Sequence, residues 1–308
     1  MAAPLRSRDF TVELIANFDD VALGVFLDPK DGGIDPESLG VALQHGDSAL
    51  TARVAEALPA PARARFLLAL DTPHDEKAVA TSRLDVLDQL FWPLIYWNWP
   101  DEYEELVSGE RIDDRVLDVL DLEGRIVCDI GAGAGRFALP AAARARTVIA
   151  VDAVPPLLQR LEAKVRDAGL DNVEVRRGSF SDLPLDDAGV DIAVACSSFT
   201  PSGPHGGARA LLEAERIVRP GGEVAIIWPK EPDWFRSHGY AYLGLHSDDV
   251  MHFRDVATAH RLCADYYSER AARWVRRYRC AEVPYRVLGT TPPSDVCLKR
   301  MADQDRLL

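Results

Sequence analysis

Residues 127–137 read Val127-Cys128-Asp129-Ile130-Gly131-Ala132-Gly133-Ala134-Gly135-Arg136-Phe137, and the fold turns on them. Ile126, Val127 and Ile130 form a short apolar run broken by Asp129, the pattern of a buried strand. Three glycines at alternate positions follow, then an alanine-rich segment of helical composition. Glycine lacks a Cβ, so this turn can take positive φ and let a ligand approach the backbone. The first amides of the next helix have no intrahelical partner and face the same crevice.

The next strand, Thr147-Val148-Ile149-Ala150-Val151, ends in Asp152. A carboxylate at the tip of the second strand of a βαβ unit suits the two hydroxyls of a ribose. Dinucleotide folds use the same device, but their fingerprint needs a third glycine in the slot filled here by Arg136. A long side chain there obstructs close helix packing. The pattern is instead Asp-x-Gly-x-Gly-x-Gly.

Asp129 to Gly135 resembles the first motif of class I S-adenosylmethionine-dependent methyltransferases, and later segments match in order. Residues 174–185 resemble the third strand and the adenine loop, and residues 190–196 the fourth strand. Residues 211–227 resemble the helix, Arg-Pro-Gly-Gly turn and fifth strand. The resemblance covers roughly residues 96–308. It implies an α/β fold: a seven-stranded mixed, mostly parallel, Rossmann-like sheet with helices on both faces. It also implies transfer of the methyl of S-adenosylmethionine.

By the same resemblance, Asp129 anchors the loop or holds the methionine ammonium. Gly131, Ala132, Gly133 and Gly135 bring backbone against the methionine part. Asp152 takes the ribose hydroxyls, Ala153 and Val154 flank the adenine, and Cys196 closes the fourth strand at the site. The family commonly has an acid after the third strand for the adenine amino group. Here Ser179 occupies that place, followed by Phe180 with its backbone amide, and Asp182 comes three positions on. A hydroxyl accepts that hydrogen bond without charge. Tyr103 belongs to a segment that folds over the cofactor in similar enzymes.

Trp92, Tyr96, Trp97, Trp99 and Tyr103 are the densest aromatic cluster in the chain. Such rings either line a pocket that receives a sulfonium or pack the junction with the N-terminal residues. The loop after the fourth strand, residues 197–207, borders the transferred methyl if ligands bind at the carboxyl ends of the strands. His205 in that loop is the candidate general base; its other reading is a solvated loop residue.

The chain has 308 residues, 47% of them hydrophobic and 27% charged, as in globular proteins. A net charge of −14 disfavours a nucleic-acid backbone as partner. The arginines of residues 270–277 read as a solvated helix face. No apolar run is long enough for a membrane helix, and residues 1–10 lack a signal-peptide core. Five cysteines without a Cys-x-x-Cys pair fit a reducing, cytoplasmic setting. Seven scattered histidines give no reason to expect a metal. The acceptor is therefore expected to be a small or medium-sized molecule. A peptide or protein acceptor, or a non-catalytic scaffold that binds the cofactor, is the alternative.

Residues 1–95 read as an N-terminal extension, α/β or helical. Residues 10–16 and 21–27 suggest a β-hairpin, while 48–58, 62–70 and 79–94 suggest helices. An accessory domain, a substrate cap and a homodimer surface all remain open for it. At the other end, residues 249–278 suggest a long helical stretch, continuous or broken. Residues 281–288 and 295–298 suggest an antiparallel strand pair, and Pro140 should kink its helix.

Overall fold

Strict alternation along the strands decides which side chains go to which face of the sheet. Val127, Val148, Ala150, Ile192 and Val194 enter one core, while Cys128, Ile130, Ile149, Val151, Ala193 and Ala195 enter the other. Both faces are buried, as expected of a largely parallel sheet. The computed structural model describes residues 10–29, 34–201, 206–245, 247 and 249–302.

Ahead of the sheet come a 3-10 helix (Val12–Asn17), α1 (Asp20–Leu27), α2 (Pro36–Ala42), α3 (Ser48–Ala57), α4 (Ala60–Asp71), α5 (Glu76–Gln89), α6 (Phe91–Asn98), α7 (Pro100–Val107) and α8 (Asp114–Val119). Then follow β1 (Ile126–Ile130), α9 (Ala138–Ala142), β2 (Thr147–Asp152), α10 (Pro155–Asp167), β3 (Val173–Arg177), β4 (Val190–Cys196), α11 (Gly207–Ile217) and β5 (Val218–Ile227). The chain continues through α12 (Pro232–Ser237), β6 (Ala241–Gly244), β7 (Val250–His252), α13 (Val256–Leu262), α14 (Glu269–Tyr278), β8 (Glu282–Pro284), α15 (Tyr285–Leu288) and β9 (Asp295–Arg300).

The main sheet has seven strands in the order β3-β2-β1-β4-β5-β9-β6. β1 to β5 run parallel, and β9 is antiparallel to both its neighbours. The winding direction reverses between β1 and β4, so the crevice lies outside their carboxyl ends. α8, α9, α13 and α14 cover one face; α11 and α12 cover the other. No helix among the described residues is long and apolar enough to cross a membrane.

Five local expectations are corrected. The proposed N-terminal hairpin is helical: the side chain of Asp19 accepts from the Ala22 amide at 2.9 Å and starts α1, while Phe18 is buried against Trp97. Tertiary burial overrides the β-forming composition there. Residues 249–278 are not one helix. β7 comes first, Asp255 caps α13, and the extended Ser268 (φ −168°) interrupts the chain before capping α14. β8 pairs with β7 instead of β9, and residues 285–288 turn into α15. Pro140 sits in the first turn of the short α9, where a missing N–H costs nothing, so the helix needs no kink. The 79–94 segment is split at Leu90 into α5 and α6.

The N-terminal helices do not stand apart. Leu23, Phe26, Leu90 and Leu94 share one core with Val154 and Leu157 at the start of α10. Leu157 is 1% exposed. Leu157→Ala should therefore lower the unfolding free energy by about 2–5 kcal/mol. Urea titration checks this, and an unchanged midpoint would mean the shared core does not support the fold.

Candidate functional site

The Gly-rich turn does what its composition allows. Gly131, Gly133 and Gly135 have φ of 75°, 53° and 96°, a region L side chains avoid. A Cβ on Gly131 would stand 2.7 Å from Ser198 Cβ and 2.9 Å from the Phe180 ring. One on Gly135 would stand 2.6 Å from Leu161 Cδ1, whereas Gly133 has no atom nearer than 3.9 Å and answers to conformation alone. The Gly131 and Ala132 amides both donate to the Val151 carbonyl, at 2.8 and 3.0 Å. The carboxylate of Asp152 finishes the turn: it accepts from Gly133 N–H at 2.8 Å and from Val154 N–H at 2.9 Å. Each oxygen retains a further lone pair.

Asp129 differs from every other acid at the site. It is 1% exposed, and neither carboxylate oxygen has a partner in hydrogen-bonding geometry, although the nearby Ala138 amide eases part of the burial. Burial pushes its carboxyl up to about 7, reinforced by the nearby charge of Asp152. A buried unpaired carboxylate is costly. A cationic ligand group relieves that cost.

Two chambers meet at this turn. One, of about 280 Å³, runs over Asp152, Ala153 and Phe180 to Cys196 and Ser198. The other, of about 490 Å³, lies against Asp129, Ala132 and Gly135. Tyr103, Glu110, Gly131, Gly133, Arg136 and Cys196 border both. Among the described residues singled out from the sequence, Ser179, Asp182, Trp97 and Trp99 do not line these walls. Ser179 turns its hydroxyl to Ser181 at 3.3 Å, and His205 lies outside the described residues.

α7 forms a roof. Its inner side places Tyr103, Leu106 and Val107 in the first chamber. Its outer carboxylates are tied down on two sides. Asp101 and Glu104 pair with Arg160 and Lys164 of α10, while Glu102 reaches Arg261 at 3.2 Å and Glu105 reaches Arg254 at 2.9 Å. The aromatic cluster divides its work. Trp92, Tyr96 and Tyr103 line the chamber, with Tyr96 and Tyr103 ring centroids 4.6 Å apart, whereas Trp97 packs on Phe18 and Trp99 on Phe10. Burial raises the phenol of Tyr103 and the thiol of Cys196 to about 12 each, so both keep their protons at neutral pH.

Several wall residues escaped the sequence reading. Arg136 pairs with the buried Glu110 at 2.7 Å. Trp228, just past β5, lies 5.6 Å from the Arg136 guanidinium and 3.7 Å from Lys230 Nζ. Tyr266 and Tyr267 arrive from the π-turn after α13 (Cys263–Tyr267), and Val25 and Phe26 from α1. Only Arg136 gave any signal, by filling a slot where dinucleotide folds place glycine.

Comparison with known proteins gives a family resemblance over part of the chain. A methyltransferase-domain family model matches residues 127–222. An uncharacterized methyltransferase of Mycobacterium tuberculosis is 32% identical over 124 residues, 39% of this chain and 48% of that protein. An uncharacterized methyltransferase-like protein of Schizosaccharomyces pombe is 32% identical over 135 residues, covering 43% and 47% respectively. The chain thus spans about half the length of the curated relatives it matches. Among solved structures, a SAM-dependent methyltransferase from Aquifex aeolicus is 24% identical, covering 48% of this chain and 87% of that one with a TM-score of 0.39. The fold assignment rests on strand order, not on that overlap.

Asp129 supplies a stability test. Its carboxyl is raised, so the folded state holds the proton more tightly than the unfolded chain between about pH 4 and 7. The stability it contributes is present at low pH and is lost as pH rises through that window. Asp129→Asn removes the loss. The variant should gain thermal stability over wild type at pH 8 more than at pH 5, and bind S-adenosylhomocysteine about tenfold or more weakly. Parallel melting curves and calorimetry read both effects.

Proposed function

We propose that this chain, whose residues 127–222 form a class I S-adenosylmethionine-dependent methyltransferase domain, moves a methyl group to a small or medium-sized acceptor. The observation that carries the reading is Asp129: a buried carboxylate with two unpartnered oxygens beside a three-glycine turn. A ligand ammonium fits there. Asp152, with both oxygens already fixed by backbone amides, would take the ribose hydroxyls. Ala153, Val154 and Phe180 would enclose the adenine, which leaves its amino group to backbone and water because Ser179 is turned aside.

When bound, S-adenosylmethionine supplies an electrophilic methyl carbon on a positively charged sulfur. The chain's own task is positioning, which supplies much of the acceleration in a direct displacement. Tyr96 and Tyr103 put aromatic faces near the place where a sulfonium would lie, and α7 and α1 supply apolar side chains to the same chamber. Tyr103 and Cys196 hold their protons too tightly to serve as bases near neutral pH. Acceptors that ionise readily, or that react as neutral nucleophiles, suit such walls. The adenosine of the donor would share this chamber of about 280 Å³ with the acceptor, so the space favours a small acceptor over a folded polypeptide.

Titration of the full chain with S-adenosylmethionine, S-adenosylhomocysteine and NAD tests the reading. The first two should bind and the third should not. Asp152→Ala should weaken S-adenosylhomocysteine by about tenfold, the loss of one or two charge-assisted hydrogen bonds. Unchanged affinity removes Asp152 from the site, and preferential NAD binding overturns the assignment.

A further inference from the structure

Sheet order sorts the charges of the chamber. Asp152 ends β2 and Asp129 lies in β1, so the groups suited to sugar and ammonium stand on one side of the switch point. Past it, Cys196 ends β4, and Trp228 and Lys230 follow β5. This second side is where an acceptor would sit, and its electrostatics differ.

Two cations meet one carboxylate there. Glu110 is committed to Arg136 Nη2 at 2.7 Å and also accepts from the Tyr267 hydroxyl at 3.3 Å. Arg136 Nη1 is buried with no hydrogen-bond partner. Lys230, solvent-accessible, makes no ion pair among the described residues and rests its ammonium 3.7 Å from the Trp228 ring centroid. Asp295 also feels the Lys230 charge, but it accepts from Tyr242 at 3.1 Å and does not line the chamber. A buried guanidinium nitrogen without an acceptor is expensive, and a desolvated anion relieves it. Tyr266 and Tyr267 beside these cations offer flat apolar walls, while Trp228, 3% exposed, backs the Lys230 ammonium.

We propose that the acceptor is a planar, aromatic carboxylate whose acid group docks at Arg136 and Lys230, with its ring against Tyr266 and Tyr267. This rests on the methyl-transfer reading for the word acceptor, but the seat itself rests on charges and rings. An anion also suits the neighbourhood of a sulfonium, whereas a cationic acceptor meets repulsion from three positive groups.

The test uses benzoate and its uncharged isostere benzamide. The full chain is first saturated with S-adenosylhomocysteine, so that any hold of the donor's own carboxylate on Arg136 is already satisfied. Calorimetry should then show benzoate binding about tenfold or more tightly than benzamide. Lys230→Met should remove most of that preference while leaving S-adenosylhomocysteine affinity unchanged, and Lys230→Arg should restore it. Equal binding of the two probes, no benzoate binding, or an undiminished preference in Lys230→Met overturns the proposal. Should S-adenosylhomocysteine itself fail to bind, the methyl-transfer reading fails separately. Benzoate titrated into the free chain then still tests the anion seat.

Discussion

One carboxylate ties the two halves of the site together. Asp152 ends β2 and receives amide protons from Gly133 in the turn after β1 and from Val154 at the head of α10. The turn can lie there only because its glycines accept positive φ, and α10 can start there only because Val154 is held. α10 then carries Leu157 into the core of the N-terminal helices and Arg160 and Lys164 to the roof. Loop, roof and N-terminal layer all take their position from that single bridge.

The sheet was legible because its information is local. Strands buried on both faces read as apolar runs, and the glycine turn, Asp152 and the Arg-Pro-Gly-Gly turn occur in order along the chain. What misled was also local. Residues 10–27 have the composition of a hairpin, yet one cap at Asp19 and the burial of Phe18 made them helical. Residues 281–288 look like a strand, but only Glu282–Pro284 found a partner, and that partner was β7. Composition carries no information about which segment a strand will meet.

The same division holds for the site. Asp129, the three glycines and Asp152, which the fold gathers around one turn, can be proposed from sequence because each acts within its own turn or strand end. Glu110, Arg136, Lys230, Tyr266 and Tyr267 come from distant parts of the sequence and gain meaning only through proximity. Arg136 illustrates the difference: in sequence it argued only against a dinucleotide fingerprint. In the fold it becomes a buried cation with one filled and one empty hydrogen-bonding arm.

α7 is held over the chamber by the buried Leu106 and Val107 together with a row of charge pairs to α10, Arg254 and Arg261. Pairs of this kind contribute about 0–1 kcal/mol each and fade as counterions accumulate. Added salt therefore weakens only the part of this bracing that reaches solvent, chiefly the Asp101–Arg160 pair, and leaves the buried contacts of Leu106 and Val107 in place.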